Sequence, residues 1–391
     1  MTFSSHFAKR TLGVAVTCAL TSMFAAVSAQ AGPLYTNEAL TEATIGFATQ
    51  NGGTTGGANA DSAHIYLVSS ISAFEAALDE DEGDARIIQI QGTIDISGGT
   101  AYSSFNDQKS RSQIKIPSNT TIIGVTSDAG FTNGSLVMSH VNNVIIRNIH
   151  IETPVDVAPH FESGDGWNAE WDSMTITYSK NVWVDHVTFD DGSYTDADYT
   201  EVDGYEYVRH DGMLDIKHGS DFVTVSASLF ENHNKTMLIG HSKSNSKEDS
   251  GHLRVTLADN VFSKTTQRTP RVRYGKIHAF NNLFEGDYKD DTYPFMYAFG
   301  LGYEGSINSQ YNVFNIDNLK TSKQYKVAKV YKTNSELTDT GSVFNDTTLD
   351  LSGSNIPADV SWNIPYSYSL YSTEGLAAYL KATAGAGKLS L

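Results

Sequence analysis

Two aspartates and a lysine lie close together in the sequence. Asp211 and Asp215 are four residues apart in Asp-Gly-Met-Leu-Asp, and Lys235 follows about twenty residues later within His-Asn-Lys. Paired carboxylates hold hard cations such as Ca²⁺, and a lysine ammonium can hold an anion. Extended backbone would separate the two aspartates by about 13 Å, so a bend is needed, and Gly212 can supply it. The segment therefore predicts a cation site beside an anion-holding lysine.

A third aspartate has a similar setting. Asp172 precedes the run Ser-Met-Thr-Ile, so it stands at the start of a predicted strand 39 residues before Asp211. If successive strands stack, these carboxylates meet in space, and oxygen ligands favour calcium over zinc. The histidines lack the spacing of a zinc site. The acidic segment 190–203 lacks the glycine and the terminal glutamate of an EF-hand, so we interpret it as a solvated insertion.

Three arginines form the basic counterpart. Arg268, Arg271 and Arg273 fall within six residues of a chain whose net charge is −18. Pro270 interrupts strand pairing, so Arg268 should project from a turn, while Arg271 and Arg273 share one face of the next strand with Val272 inward. The group is either a structural ion-pair cluster or a site for planar recognition of carboxylates, for which arginine is suited.

A recurring strand-like unit positions these residues. Six segments combine branched or aromatic residues with alternating polarity, and the last five end in phenylalanine. They are residues 143–151, 181–189, 222–230, 255–262, 277–284 and 307–314. The last five terminal phenylalanines are 22 to 41 residues apart, which fits a solenoid with insertions of variable length. We therefore predict an all-β fold, a right-handed single-stranded parallel β-helix with long loops on one face.

Further details of this solenoid follow from composition. The asparagines Asn260, Asn282 and Asn312 recur at one place in the unit, where their amides could bond the backbone of neighbouring coils. Segments 70–78 and 373–382 are amphipathic and predict short helices that cap the ends of the coil, which would otherwise expose strand edges.

The net charge limits the classes of partner. A nucleic acid or an anionic membrane would require a basic surface, so neither is expected for a chain of charge −18. A polyanionic sugar is opposed by the same argument, unless the binding cleft is locally basic or bridged by calcium.

The first 31 residues have the order of a secretory signal peptide. They carry Lys9 and Arg10, then an apolar run that is short for a membrane span, and end in Ala-Gln-Ala. The only cysteine, Cys18, lies in this segment, so no disulfide is expected in the rest. We predict a secreted, extracellular protein, a monomer, with residues 32–391 as a single catalytic β-helix domain.

At four motifs the chain resembles the extracellular pectate lyases of polysaccharide lyase family 1. The matching pieces are Val-Trp-Val-Asp-His at 182–186, Asp-Gly-Met-Leu-Asp at 211–215, His-Asn-Lys-Thr-Met-Leu-Ile-Gly at 233–240 and Arg-Thr-Pro-Arg-Val-Arg at 268–273. They follow the order of the family, and the resemblance covers about residues 60 to 315. It implies a parallel β-helix that cleaves polygalacturonate by calcium-dependent β-elimination and leaves 4,5-unsaturated products.

The resemblance also implies roles for single residues. Calcium would be held by three aspartates, with a glutamate as a weaker fourth ligand: Asp172, Asp211, Asp215 and Glu170. Arg268 would abstract the proton, and Lys235 and Arg273 would bind the substrate carboxylate. Asp185 and His186 belong to a family motif, but we interpret them as structural. Because arginine is ordinarily protonated, a base of this type implies an alkaline pH optimum.

Three other functions remain open at this point. A pectin lyase would act on the methyl ester without calcium, which would leave the three aspartates without a purpose. A polygalacturonase would need a Gly-His-Gly motif, whereas this chain has Gly-His-Ser at 240–242. A non-catalytic β-helix that binds sugars would need neither Arg268 nor Lys235.

Overall fold

The computed structural model describes residues 31–79 and 83–391, and most of them form a coil of three parallel sheets. Each turn of the coil passes through the first, second and third sheet in that order. The register is parallel throughout the three sheets except for the last pair of the second sheet. The predicted parallel β-helix is confirmed.

The first sheet has ten strands. They are Ile65–Val68, Arg86–Ile90, Thr120–Gly124, Asn142–Arg147, Lys180–Asp185, Asp221–Ser226, Arg254–Ala258, Lys276–Phe280, Ser306–Gln310 and Glu336–Thr340.

The second sheet also has ten strands. They are Thr93–Asp95, Gly130–Thr132, His150–Glu152, Thr188–Asp190, Leu229–Lys235, Val261–Gln267, Leu283–Asp287, Val313–Asp317, Val343–Phe344 and Thr347–Thr348.

The third sheet has eight short strands. They are Gln113–Lys115, Ser135–Ser139, Met174–Thr177, Leu214–Lys217, Leu238–Ile239, Arg271–Val272, Phe299–Leu301 and Ala328–Val330. Long loops leave the coil mainly between the second and third sheets. Two of them carry small hairpins, His160–Glu162 with Gly166–Asn168 and Glu201–Val202 with Tyr205–Glu206.

The predicted repeat unit is two strands rather than one. In segment 255–262, the strand Arg254–Ala258 belongs to the first sheet and Val261–Gln267 to the second. Asp259 between them has a φ of 59°, and Asn281 and Tyr311 occupy the same bend in the next two coils with φ near 50°. Left-handed backbone at non-glycine residues turns the chain sharply between the sheets.

A ladder of asparagines stabilises this bend, as predicted. Asn260 Nδ2 donates to Asn282 Oδ1 at 2.9 Å, and Asn282 Nδ2 donates to Asn312 Oδ1 at 3.0 Å. The backbone N–H groups of Asn260 and Asn282 donate to the same amide oxygens. All three side chains are fully buried, so each coil satisfies polar groups of its neighbour.

The interior is also built from stacked equivalents. Phenylalanines at the same position of five successive coils are parallel, with ring centroids 4.7 to 5.0 Å apart. They are Phe189, Phe230, Phe262, Phe284 and Phe314. This separation matches the distance between adjacent strands, so the predicted alternation does fill one continuous core.

Both segments predicted to form capping helices are helical, but only the first lies at an end of the coil. Helix α1 (Ile71–Asp79) buries Phe74 against Phe131 near the N-terminal end of the coil. Helices α2 and α3 are Phe105–Arg111 and Ser246–Asp249. Helix α4 (Leu376–Thr383) packs Leu376 and Leu380 on the outer side of the second sheet, against Val261, Leu283 and Val313. It therefore covers the flank of the coil rather than its end.

Six short 3₁₀ segments complete the secondary structure. They are Asn37–Leu40, Phe47–Thr49, Ser62–His64, Asp196–Asp198, Thr321–Val327 and Ser352–Ser354. Among the helices of residues 31–79 and 83–391, none has the length and apolar character needed to cross a membrane. The predicted signal peptide lies outside the described residues except for Ala31, which bridges to Tyr66.

We expect Asn282→Ala to destabilise the coil. The change removes four hydrogen bonds of the Asn282 side chain, to the Asn260 backbone N–H, the Asn260 and Asn312 amides and the Leu257 carbonyl. A buried polar group left without a partner costs about 1–3 kcal/mol, and a lost hydrogen bond about 1 kcal/mol, so the total should reach roughly 3 kcal/mol. Guanidinium unfolding followed by circular dichroism measures this change. Asn315→Ala, at a half-buried position of the second sheet, is the control, and an equal loss in both variants would contradict the ladder's role.

Candidate active site

The third sheet brings Asp172 and Asp215 together. Asp215 lies on the strand Leu214–Lys217, opposite Thr175 of the neighbouring coil. The Thr175 hydroxyl donates to Asp172 Oδ2 at 2.9 Å, and the backbone N–H of Gly212 donates to Asp172 Oδ1 at 3.1 Å. Asp211 is the residue before Gly212, so all three predicted aspartates are neighbours although they come from two coils.

Gly212 leaves space between the carboxylates. A Cβ atom at this position would lie 2.7 Å from Asp172 Oδ1 and 2.9 Å from Asp215 Oδ1. Real side chains do not approach so closely, so only glycine allows the two carboxylates to flank the backbone here. The strand begins at Leu214, as predicted. Gly212 is needed because it has no Cβ atom, and not because it adopts a left-handed bend.

Lys217 places a positive charge between two of the aspartates. Its Nζ lies 3.0 Å from Asp172 Oδ2 and 3.1 Å from Asp215 Oδ2. Lys217 follows Asp215 by two residues, so both side chains leave the same face of the strand. The site therefore already accommodates one cation between two carboxylates.

The crowded carboxylates have shifted pKa values. Burial and the charge of Asp172 raise the pKa of Asp211 to about 7. Burial and Asp172 also raise the pKa of Asp215. Burial opposes the charged form of Lys217, but the charges of Asp172 and Asp215 outweigh it and raise the pKa of Lys217. The three aspartates thus hold more negative charge than one lysine can neutralise.

A buried ion-pair network fixes the backbone at Asp211. Asp191 Oδ1 lies 2.6 Å from His233 Nδ1, and His233 Nε2 lies 2.8 Å from the Asp211 carbonyl oxygen. Both partners of the His233 ring are acceptors, so the ring donates from both nitrogens. His210 Nδ1 and the Tyr293 hydroxyl contact the second oxygen of Asp191 at 3.1 and 2.9 Å.

The same network bears on two earlier interpretations. Ligand atoms of Asp191, His210 and His233 lie within 4.8 Å of one another, as in a metal site. However, His233 has no free lone pair when it donates from both nitrogens, so hydrogen bonding explains the cluster. Burial favours the acid form of Asp191, but His233 and His210 hold the pKa of Asp191 well below its usual range. The segment 190–203 is therefore not a wholly solvated insertion, because Asp191 is fully buried.

A cleft of about 370 Å³ collects most of the predicted residues. Its lining includes two acidic and three basic members of that set: Glu170, Asp211, Lys235, Arg268 and Arg273. Lys235 Nζ donates to Asn168 Oδ1 at 3.1 Å, which ties it to the hairpin of the loop two coils earlier. Glu170 is exposed on the cleft wall, with Oε2 at 3.9 Å from His160 Nδ1.

Arg268 projects from a turn, as predicted. It follows the strand Val261–Gln267 and has a φ of 62°, a left-handed conformation that is costly for arginine. Its Nε is buried and has no hydrogen-bond partner among the described residues. A strained backbone and an orphaned donor are typical of a residue held ready for a ligand.

The other two arginines occupy the next strand. Val272 is fully buried between Arg271 and Arg273, so the predicted alternation is confirmed. Arg273 Nη1 donates to the carbonyls of Gly240 and His241, at 2.9 and 3.0 Å. Burial, and then the charges of Arg271 and Arg268, lower the pKa of Arg273.

These arginines are not a structural ion-pair cluster. In the described part of the chain, no carboxylate forms an ion pair with any of the three. Arg271 instead places its guanidinium 4.1 Å from the ring centre of Tyr331. Uncompensated guanidinium groups in a cleft favour the alternative interpretation, recognition of a carboxylate ligand.

Asp185 and His186 lie in a separate structural network. Asp185 accepts from Arg147 Nε at 2.9 Å and from the Ser226 hydroxyl at 2.6 Å, and it pairs with His186 at 2.8 Å. The Trp183 indole also donates to Ser226. All of these residues surround the first sheet, away from the cleft.

Three contributors to the site were missed from sequence. Lys217 could have been found, because it alternates with Asp215 on one strand and must share its face. Asp191 and Asn168 carried no such signal, since they stand in long loops whose paths depend on the folded coil.

Comparisons with known proteins identify the family to which the chain is similar. The model of the pectate lyase family, described as "Pectate lyase", matches residues 16–389. Pectate lyase D of Dickeya chrysanthemi is 55% identical over 360 residues, which are 91% of this chain and 92% of that protein. The solved thermostable pectate lyase PL 47 has a TM-score of 0.84 at 32% identity, over 91% of this chain and 100% of the other. A pectate lyase bound to a hexasaccharide has a TM-score of 0.84 at 30% identity, with the same two coverages.

We expect Asp211 to make the stability of the metal-free protein depend on pH. Because its folded pKa is raised to about 7, the folded state keeps a proton that the unfolded chain loses near pH 4. This contribution to stability is full below pH 4 and is lost as the pH rises through 7.

Melting temperatures in EDTA at pH 5 and pH 8 measure this dependence. Asp211→Asn cannot titrate, so its melting temperature should rise relative to wild type between pH 5 and pH 8. Asp317→Asn, at an exposed position, is the control and should keep a constant offset. A constant offset for Asp211→Asn as well would contradict the raised pKa.

Proposed function

Since the chain belongs to the pectate lyase family, and is a pectate lyase, we propose that it cleaves de-esterified polygalacturonate by calcium-dependent β-elimination. The products would be 4,5-unsaturated oligogalacturonates. The observation that carries this proposal is one cleft in which crowded carboxylates adjoin three unpaired arginines and a lysine.

The donor set fits a calcium ion. Asp172, Asp211 and Asp215 would hold it, with Glu170 as a weaker fourth ligand from the cleft wall. Carboxylate oxygens are the ligands that calcium prefers, and the Oδ2 atoms of Asp172 and Asp215 already hold the ammonium group of Lys217. When bound, the ion supplies positive charge that stabilises negative charge on the substrate carboxylate.

The arginines and the lysine would orient the polymer. Lys235 lies at the end of one strand and Arg273 just past another, so their charges approach the cleft from neighbouring coils. Together they can hold a galacturonate carboxylate from two sides. This local basic surface explains how a chain of charge −18 could bind a polyanion.

Arg268 would remove the proton from C5 of a galacturonate residue. The electron pair left on C5 spreads into the adjacent carboxylate, where Lys235 and Arg273 stabilise the developing charge. The pair then forms the C4–C5 double bond as the C4 oxygen leaves with the other half of the polymer. No water enters the bond-breaking step, unlike in a glycoside hydrolase.

The same residues favour the acid over its methyl ester. A methyl ester carries no negative charge for the arginines to bind. It also offers no carboxylate for a calcium ion held by the three aspartates. We further propose that the protein is exported by means of residues 1–31 and acts outside the cell as a monomer.

An assay with and without a chelator tests the function. We expect the protein to convert polygalacturonate into products that absorb in the ultraviolet, because β-elimination creates a conjugated double bond. EDTA should abolish the reaction, excess CaCl₂ should restore it, and the rate should be highest at alkaline pH. New reducing ends without absorbance would indicate a hydrolase, and activity that survives EDTA would contradict the calcium requirement.

We expect Arg268→Lys to abolish turnover but not binding. Lysine keeps the charge but cannot reach the same position, so kcat should fall by at least about 100-fold, the usual contribution of a positioned base. Binding of polygalacturonate to the calcium-loaded variant, measured by calorimetry, should stay within a few-fold of wild type. Arg254→Lys is the control, because Arg254 pairs with Asp221 on the first sheet. Normal turnover in the Arg268 variant would exclude this residue as the base.

A further inference from the structure

The two oxygens of Asp172 and of Asp215 have different kinds of partner. In each carboxylate, Oδ1 accepts from the backbone: Gly212 N–H at 3.1 Å for Asp172, and Leu238 N–H at 3.0 Å for Asp215. In each, Oδ2 faces Lys217 Nζ, at 3.0 and 3.1 Å, and Asp172 Oδ2 also accepts from the Thr175 hydroxyl at 2.9 Å. One ammonium therefore holds the outer oxygens of both carboxylates.

Only the Lys217 contacts can be exchanged for another cation. Gly212 is buried and Leu238 lies on a paired strand, so their N–H groups are fixed by the coil. Lys217 is a flexible side chain that is about 20% exposed, so its ammonium can leave without moving the backbone. A metal that binds both carboxylates through these outer oxygens would then use the atoms that Lys217 holds.

We propose that Lys217 is an internal counter-ion that holds the Asp172 and Asp215 carboxylates in the metal-free protein and is displaced when a divalent cation binds. The inference rests on the calcium site proposed above. It makes Lys217 a positioning residue, which acts on the substrate reaction only through the carboxylates and sets the apparent metal affinity by competition.

Electrostatics explains both halves of this exchange. Without any cation, three carboxylates would be crowded at one place, and buried like charges are strongly unfavourable. An ammonium and a dication that share the same two oxygens repel each other, since they would lie only a few ångströms apart. Occupation by one therefore requires departure of the other.

Asp211 provides an entry point for the metal. Its carboxylate accepts no hydrogen bond from any other group in residues 31–79 and 83–391, and it lines the open cleft. The first contact of an arriving cation can therefore form at Asp211 while Lys217 still bridges the other two aspartates.

Chemical labelling of the wild-type protein tests the displacement directly. Reductive methylation of lysines with formaldehyde, followed by mass spectrometry of the peptide that contains Lys217, is carried out in EDTA and in CaCl₂ without polysaccharide. We expect slow labelling of Lys217 in EDTA and labelling several-fold faster in CaCl₂. The exposed Lys276 is the internal control and should react equally in both. Equal labelling of Lys217 in both conditions would overturn the proposal.

Calcium titration of variants provides an independent measurement. By calorimetry with CaCl₂ alone, Lys217→Met should bind calcium about tenfold more tightly than wild type, because no ammonium must be displaced. In EDTA, the same variant should melt at a lower temperature, and calcium should remove that deficit. Lys276→Met makes the same change of net charge at a remote exposed site and should match wild type.

The outcomes separate this inference from the proposed function. Calcium binding that Lys217→Met leaves unchanged or weakens would overturn the inference but not the calcium site. A wild-type protein that binds no calcium would overturn both. The labelling experiment uses unmodified protein, so it decides the question even where Lys217→Met fails to fold.

Discussion

Parallel stacking in register is the constraint on which the rest of this structure depends. Each coil lies directly on the one before it, so equivalent side chains are about 4.8 Å apart. Inside the coil, this places phenylalanine on phenylalanine and asparagine on asparagine, and both pairings are favourable. On the outer face of the third sheet, the same rule places charge next to charge, which is unfavourable unless a counter-ion joins them.

On the third sheet, the charge of the outward side chains changes from negative to positive along the axis of the coil, which resolves this problem. Ile216, Ile239 and Val272 are register partners and point inward, so the residues on either side of them form two outward rows. The row before them reads Asp215, Leu238, Arg271, and the row after them reads Lys217, Gly240, Arg273. Within three coils, or about 10 Å, the surface passes from a carboxylate site to a guanidinium site. A strongly acidic chain can therefore present local positive charge without a basic domain.

The parts of this arrangement that repeat were predictable from sequence, and the parts that occur once were not. Alternation and recurrent phenylalanines predicted the β-helix, and strand positions predicted that Asp172 would lie near Asp215 although 43 residues separate them. The division of each unit into two strands was missed, because a bend at Asp259 depends on left-handed backbone that no residue type requires. The lateral packing of α4 was also missed. Its apolar stripe shows that a surface is covered, but the stripe is equally compatible with the flank and with the end of the coil.

The corner between the second and third sheets explains why loops and charges converge at one place. Where successive turns are tight, at 235–238 and 267–271, the chain changes direction over a few residues and presents Lys235 and Arg268 at the corner itself. In the preceding coils the same corner is opened by the long loops 153–173 and 191–213, and the first of them supplies the facing wall of the cleft. The second of these loops begins at the buried Asp191, which His233 links to the backbone of Asp211. Because Asp191 and His233 are fully buried, the start of this loop and the backbone that carries the Asp211 carboxylate are held by one network of hydrogen bonds in the interior.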